Sequence, residues 1–159
     1  MTETLKTHQH YMSLALSEAQ HSGQDVPVGA LLLMGDKIIC ATRNRKEELN
    51  DPTAHAEILA LRHGALLKGS WRLNGATLYT TLEPCPMCAE AILQARVSTL
   101  IFGAYDPLSG AVGSAFNLFA GKRIYPAPEV IGGILEAQCA QALKSFFEKR
   151  KQAAQSAPE

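Results

Sequence analysis

Apolar residues recur at helical spacing over residues 5–21, where Met12, Ala15, Leu16 and Ala19 fall on one face. The polar run Ser22-Gly23-Gln24-Asp25 ends that helix. Residues 28–34 and 37–42 then read as two apolar strands on either side of Gly35-Asp36, the pattern of a hairpin. Residues 44–51 are polar and read as a loop. A second helix is predicted from Pro52 or Thr53 to about Leu67, because proline suits a first helical turn and Asp51 or Thr53 can cap it. Residues 76–82 alternate small, apolar and hydroxyl side chains as a strand does. A helix over residues 84–95, a strand over 97–102 and a closing helix over 135–151 follow. The buried stripe of that last helix is Leu135, Cys139, Leu143, Phe146 and Phe147.

Beyond residue 50 helices and strands alternate, which predicts an α/β fold with a partly parallel sheet. The opening hairpin makes the sheet mixed. No repeat and no linker divides the chain, so residues 1–159 are expected to form a single domain. Residues 105–128 fit no regular pattern and carry several glycines and prolines, with residues 115–118 as a short helical piece. A loop of that length inside a compact domain is usually functional, which places it at a substrate cleft and not in the core.

Composition narrows the function classes. Fifteen basic and 15 acidic residues cancel, so the chain lacks the broad positive surface of a general nucleic-acid binder. A local basic patch at Lys144 and Lys149-Arg150-Lys151 is compatible with that balance. It reads equally as a solvated helix end, where cations suit the macrodipole. No apolar run approaches the roughly 18 residues needed to span a bilayer. The first residues lack the basic-then-apolar pattern of a secretion signal, so the expected location is the cytoplasm and no membrane partner is expected.

Four cysteines divide into two kinds. Cys40 and Cys139 lie in apolar patterns and read as core thiols. Cys85 and Cys88 lie in Pro84-Cys85-Pro86-Met87-Cys88, downstream of His55-Ala56-Glu57. Imidazole and thiolate are good zinc ligands, and three protein ligands leave a coordination position for water. Water so placed is acidified from a pKa of about 15.7 toward roughly 7 and can attack an electrophilic carbon, with Glu57 beside it to carry protons. Both motifs fall at predicted helix starts, where side chains lean over the N-terminal end and the local positive potential favours thiolate. A redox dithiol would leave His55 and Glu57 unexplained. A closed structural zinc would need a fourth ligand from Cys40, Cys139 or His63. His63 lies roughly 12 Å along the helix from His55, too far to join it. Glu83 reads as a structural hydrogen-bond acceptor, and His8, His10 and His21 as surface residues.

The pairing of His-x-Glu with Pro-Cys-x-x-Cys resembles the zinc-dependent nucleobase deaminases. The resemblance sharpens toward the bacterial tRNA-specific adenosine deaminases. It is carried by Val26-Pro27-Val28-Gly29-Ala30, Asp51-Pro52-Thr53-Ala54-His55-Ala56-Glu57, Thr81-Leu82-Glu83-Pro84-Cys85-Pro86-Met87-Cys88, Phe102-Gly103-Ala104, Gly110-Ala111-Val112-Gly113-Ser114 and a closing Phe146-Phe147. It implies a three-layer α/β/α sandwich around a five-stranded mixed sheet. It implies hydrolysis of the wobble adenosine of a tRNA anticodon loop to inosine, by a homodimer with one zinc per subunit. His55, Cys85 and Cys88 would hold the metal and Glu57 would shuttle protons. Asn44 would bond the base or its ribose, Val28, Ala56 and Pro84 would line the base pocket, and Asp106 would contact the RNA strand.

The chain departs from that family at three places. Tyr125-Pro126-Ala127 stands where Asn-His-Arg is usual, Glu148 follows Phe-Phe where arginine is frequent, and Tyr105 replaces an arginine found in some relatives. With a neutral overall charge, these differences leave a deaminase of free guanine, cytosine or adenosine as the alternative. A binding module without activity, the reading from another class, would not need Glu57 and all three ligands intact.

Overall fold

Leu31, Leu32 and Leu33 are consecutive and all buried, because the strand that carries them lies in a sheet covered on both faces. The computed structural model describes residues 1–158. Its strands are β1 (Gly29–Met34), β2 (Lys37–Arg43), β3 (Ala76–Leu82), β4 (Thr99–Ala104) and β5 (Glu129–Ile131), and its helices are α1 (Glu3–Ala19), α2 (Lys46–Leu49), α3 (Ala56–Lys68), α4 (Pro86–Gln94) and α5 (Glu136–Ser156). The sheet order is β2-β1-β3-β4-β5. β1 is antiparallel to both β2 and β3, whereas β3, β4 and β5 run parallel. This is the expected mixed, five-stranded α/β sheet.

Alternation along the strands builds two cores. Leu32, Leu78 and Leu100 pack with Ala56, Ala60 and Ile92 under α3 and α4. Their neighbours Leu31, Tyr79 and Ile101 pack with Met12, Ala15 and Cys139 under α1 and α5. Met12, Ala15 and Ala19 are buried on α1 as its periodicity predicts. Gly29 is required where β1 passes α1, since a Cβ there would run into the carbonyl oxygen of Ala15. Among the described residues, no helix is long and apolar enough to cross a membrane.

Several boundaries differ from the sequence reading. Residues 44–51 contain α2, a four-residue helix too short to show a periodicity. α3 begins at Ala56 and not at Pro52 or Thr53, because the Asp51 carboxylate accepts the Thr53 backbone N–H and hydroxyl in a turn of its own. Residues 115–118 are not helical: the Gly110 carbonyl accepts the N–H groups of Ala115 and Phe116, and Val112 bridges Asn117. β5 has three residues, two of them exposed, and follows the irregular region without a pattern to announce it. α5 runs on to Ser156, and Phe147 lies half exposed instead of on the buried stripe.

Candidate active site

β2 and β3 point the same way, since each is antiparallel to β1. Their C-terminal ends, the C-terminal end of β4 and the start of β1 therefore meet at one edge of the sheet. α3 and α4 begin at that edge. Ligand sites in open α/β folds form there, outside the carboxyl ends of the strands.

His55 and Cys85 occupy the N-cap positions of α3 and α4 in extended backbone, and neither side chain caps its own helix. Both are thus free to point at each other. Cys88 follows in the first turn of α4 and is fully buried. Nδ1 of His55 lies 3.6 Å from Sγ of Cys85 and 3.5 Å from Sγ of Cys88. A zinc ion about 2.05 Å from nitrogen and 2.3 Å from sulfur, at tetrahedral angles, would space such donors by roughly 3.6 Å. The residues fit the metal. Among the described residues no fourth histidine, cysteine or carboxylate joins this cluster, so it has the three-ligand form that keeps a position open. The Cys88 thiol, and then His55, hold the Cys85 thiol down to about 4 against its burial. The hydrogen bond to Cys85 raises both His55 and Cys88, and burial raises Cys88 further.

Two orphan helix N-termini need partners other than their own caps. α4 has Pro86 at its first position, which carries no N–H. For α3 the partner comes from the end of β2: Oδ1 of Asn44 accepts the N–H of Ala56 at 2.8 Å, while Nδ2 donates to the Val26 carbonyl at 3.0 Å. One N–H and one lone pair of the Asn44 amide remain for a ligand. Asn44→Ala should therefore destabilise the fold by about 1–3 kcal/mol through an unpaired buried amide, read by chemical denaturation. Unchanged stability would mean that the side chain is free of structural duty.

Glu57 lies in the first turn of α3 and is 4% exposed. Its carboxylate accepts the Thr80 hydroxyl at 3.4 Å. Burial pushes its pKa up, and His55 opposes that shift. Val28, Asn44, His55, Glu57, Cys85 and Asp106 all line one cleft of about 430 Å³. Ala56 and Pro84, expected in the base pocket, are buried beside the cleft and do not line it. Oδ1 of Asp106 accepts the N–H groups of Leu108 and Ser109, so its carboxylate also shapes the loop after β4. Glu83 is 2% exposed and accepts hydrogen bonds from the backbone of Val112 and Ser114 and the Ser114 hydroxyl. It fastens that loop to the Cys85 turn, the structural role expected of it. Arg150 of the basic C-terminal run lines the cleft and faces the Phe146 ring. Lys46 and Asp25 also line the cleft and have no counterpart in the sequence reading. The Asp25 carboxylate accepts the Glu47 N–H and so ties the turn after α1 to α2. Each lies in a short polar run whose residues are indistinguishable by periodicity.

Residues 5–104 match the family description "Cytidine and deoxycytidylate deaminase zinc-binding region". A tRNA-specific adenosine deaminase of Agrobacterium fabrum is 45% identical over 144 residues, 89% of this chain and 95% of that protein. One from Bacillus subtilis is 42% identical over 149 residues, covering 91% and 92%. A solved structure from a study of A-to-I editing by tRNA:A34 deaminases at the wobble position of transfer RNA superposes with a TM-score of 0.81. It is 46% identical and covers 84% of this chain and 99% of that one.

Proposed function

The chain belongs to the zinc-binding cytidine and deoxycytidylate deaminase family, and we propose that it hydrolyses the wobble adenosine of a tRNA anticodon to inosine. The observation that carries this reading is that the three-donor cluster and the Glu57 carboxylate open on one cleft. The substrate class follows the tRNA-specific relatives, which align over nearly the whole chain.

His55, Cys85 and Cys88 would hold one zinc ion, which supplies Lewis-acid activation of water at the coordination position the protein leaves open. Glu57 takes a proton from the attacking water and delivers it to N1 of adenine as the C6–O bond forms. It then passes the second water proton to the amino group as the C6–N6 bond breaks, and ammonia leaves. Water and adenosine are consumed, and inosine and ammonia are formed. Burial equips Glu57 for the first transfer, because a carboxylate whose pKa is held above its ordinary range is a stronger base toward the water proton. Asn44 offers its remaining N–H and lone pair to the base or ribose, and Val28 supplies an apolar wall. Asp106 stands where the strand would pass, and the cations Lys46 and Arg150 suit its phosphates. An anticodon loop is single-stranded, so one base swings into a cleft of this size without duplex opening. The same reading takes residues 1–159 as one deaminase domain, homodimeric and cytoplasmic.

A side-by-side assay tests it. Inosine is expected from an anticodon stem-loop with a wobble adenosine, and no ammonia from free guanine, cytosine or adenosine. Turnover of a free base with none of the stem-loop would overturn the assignment.

A further inference from the structure

Thr80 is a hydroxyl where the fold asks for a hydrocarbon. Alternation along β3 places it between Leu78 and Leu82, on the face that packs under α3 and α4. It is fully buried. A hydroxyl so placed needs a partner. Two acceptors are within reach: Oε1 of Glu57 at 3.4 Å and the Leu82 carbonyl at 3.2 Å. The hydroxyl has one proton to give, and an ionised carboxylate is the stronger acceptor.

The backbone that carries Glu57 is already fixed. The Ala56 peptide lies between His55 and Glu57 and is held on both sides. Its carbonyl accepts the buried Thr42 hydroxyl at 2.7 Å, and its N–H donates to Oδ1 of Asn44 at 2.8 Å. β2 thus sets where α3 begins. What these bonds leave free is the far end of the glutamate side chain. The last torsion of glutamate is broad and roughly two-fold, so the carboxylate plane has no strong preference of its own.

Thr80 supplies that missing constraint from β3, on the inner side of the carboxylate. A shuttle that serves a water, a ring nitrogen and a leaving amine in turn works only when one oxygen stays aimed at them. A carboxylate tied through one oxygen presents the other.

We propose that Thr80 is a positioning residue for the proton shuttle: its hydroxyl ties Oε1 of Glu57, fixes the carboxylate plane and reserves Oε2 for the protons of water and base. The proposal rests on the role given to Glu57 above. The test uses the zinc-loaded full chain and a wobble-adenosine stem-loop, with inosine formation followed in single turnovers over a range of enzyme concentrations. Thr80→Val keeps the β-branched shape that suits a strand and removes the hydroxyl. It should keep its zinc and lower the saturated rate by about tenfold, a hydrogen bond's worth, with the half-saturating concentration unchanged. Thr80→Ser restores the hydroxyl and should restore the rate. In the Glu57→Gln background, where no proton is shuttled, adding Thr80→Val should cost nothing further. A Thr80→Val protein as fast as wild type, a Thr80→Ser protein as slow as Thr80→Val, or an equal loss in the Glu57→Gln background would overturn the positioning role. Loss of zinc from Thr80→Val would overturn it too, by making the hydroxyl a support of the metal site. Wild-type protein that makes no inosine would overturn the substrate reading itself, and the role of Thr80 with it.

Discussion

Glu57→Gln is expected to leave the zinc in place and to lower inosine formation by roughly three orders of magnitude, within the 10²–10⁴-fold that a positioned proton carrier contributes. Glutamine matches glutamate in shape and can still accept the Thr80 hydroxyl through Oε1, a contact glutamate makes at 3.4 Å. The side chain is 4% exposed, so the change removes a buried charge and leaves packing intact. The Tm should therefore fall little or rise slightly. The three metal donors are untouched, because Glu57 is not one of the cluster. What the variant loses is the ability to take and return a proton. Metal content by elemental analysis and single-turnover inosine formation check the two halves separately. Loss of zinc would make Glu57 a ligand. Turnover within a few-fold of wild type would move the proton transfer to another group.

The metal donors are legible in the sequence because their spacing is local: two helix starts, each with its ligand within a turn. What surrounds them is not, because the contacts are made between segments far apart in the chain. Asn44 caps α3 at Ala56 and anchors Val26, and nothing in the polar run around it distinguishes a cap from a loop residue. Arg43 pairs with Glu18 only because α1 hands the chain to β1 and β2 returns it to the same edge. The alternating core pattern gives the sheet and its two faces, but a three-residue β5 and a four-residue α2 lie below the length at which any period can be read. Residues 105–128 are half as expected: Asp106 and Ser109 reach the cleft, whereas Ala111 is fully buried and Val112 and Phe119 pack on the core. Glycine is what permits that inward turn, since a Cβ at Gly110 would run into the Glu83 carboxylate that fastens the loop.

Removal of the metal is expected to abolish turnover altogether while leaving the protein folded. The two cores that hold the sheet between α3 and α4 on one side and α1 and α5 on the other are built from residues such as Leu32, Leu78, Ile92, Met12 and Ile101. The cluster closes one edge, between the starts of α3 and α4, so the metal adds to a structure already packed. Zinc present at about a thousand times its Kd would stabilise the native state by about 4 kcal/mol. In a chain of this size that corresponds to a Tm lower by roughly 8–16 °C once a chelator strips the site. Circular dichroism should change little, and added zinc should restore both Tm and activity. Cys88→Ala makes the same test without a chelator. Cys88 is fully buried, so the alanine fills most of its volume, but two remaining donors cannot hold the ion stoichiometrically. A folded Cys88→Ala protein with no zinc and no turnover is the expected result. A metal-free preparation that still converts adenosine to inosine at the wild-type rate would leave His55, Cys85 and Cys88 without a catalytic purpose, and the hydrolytic assignment with no source for its nucleophile.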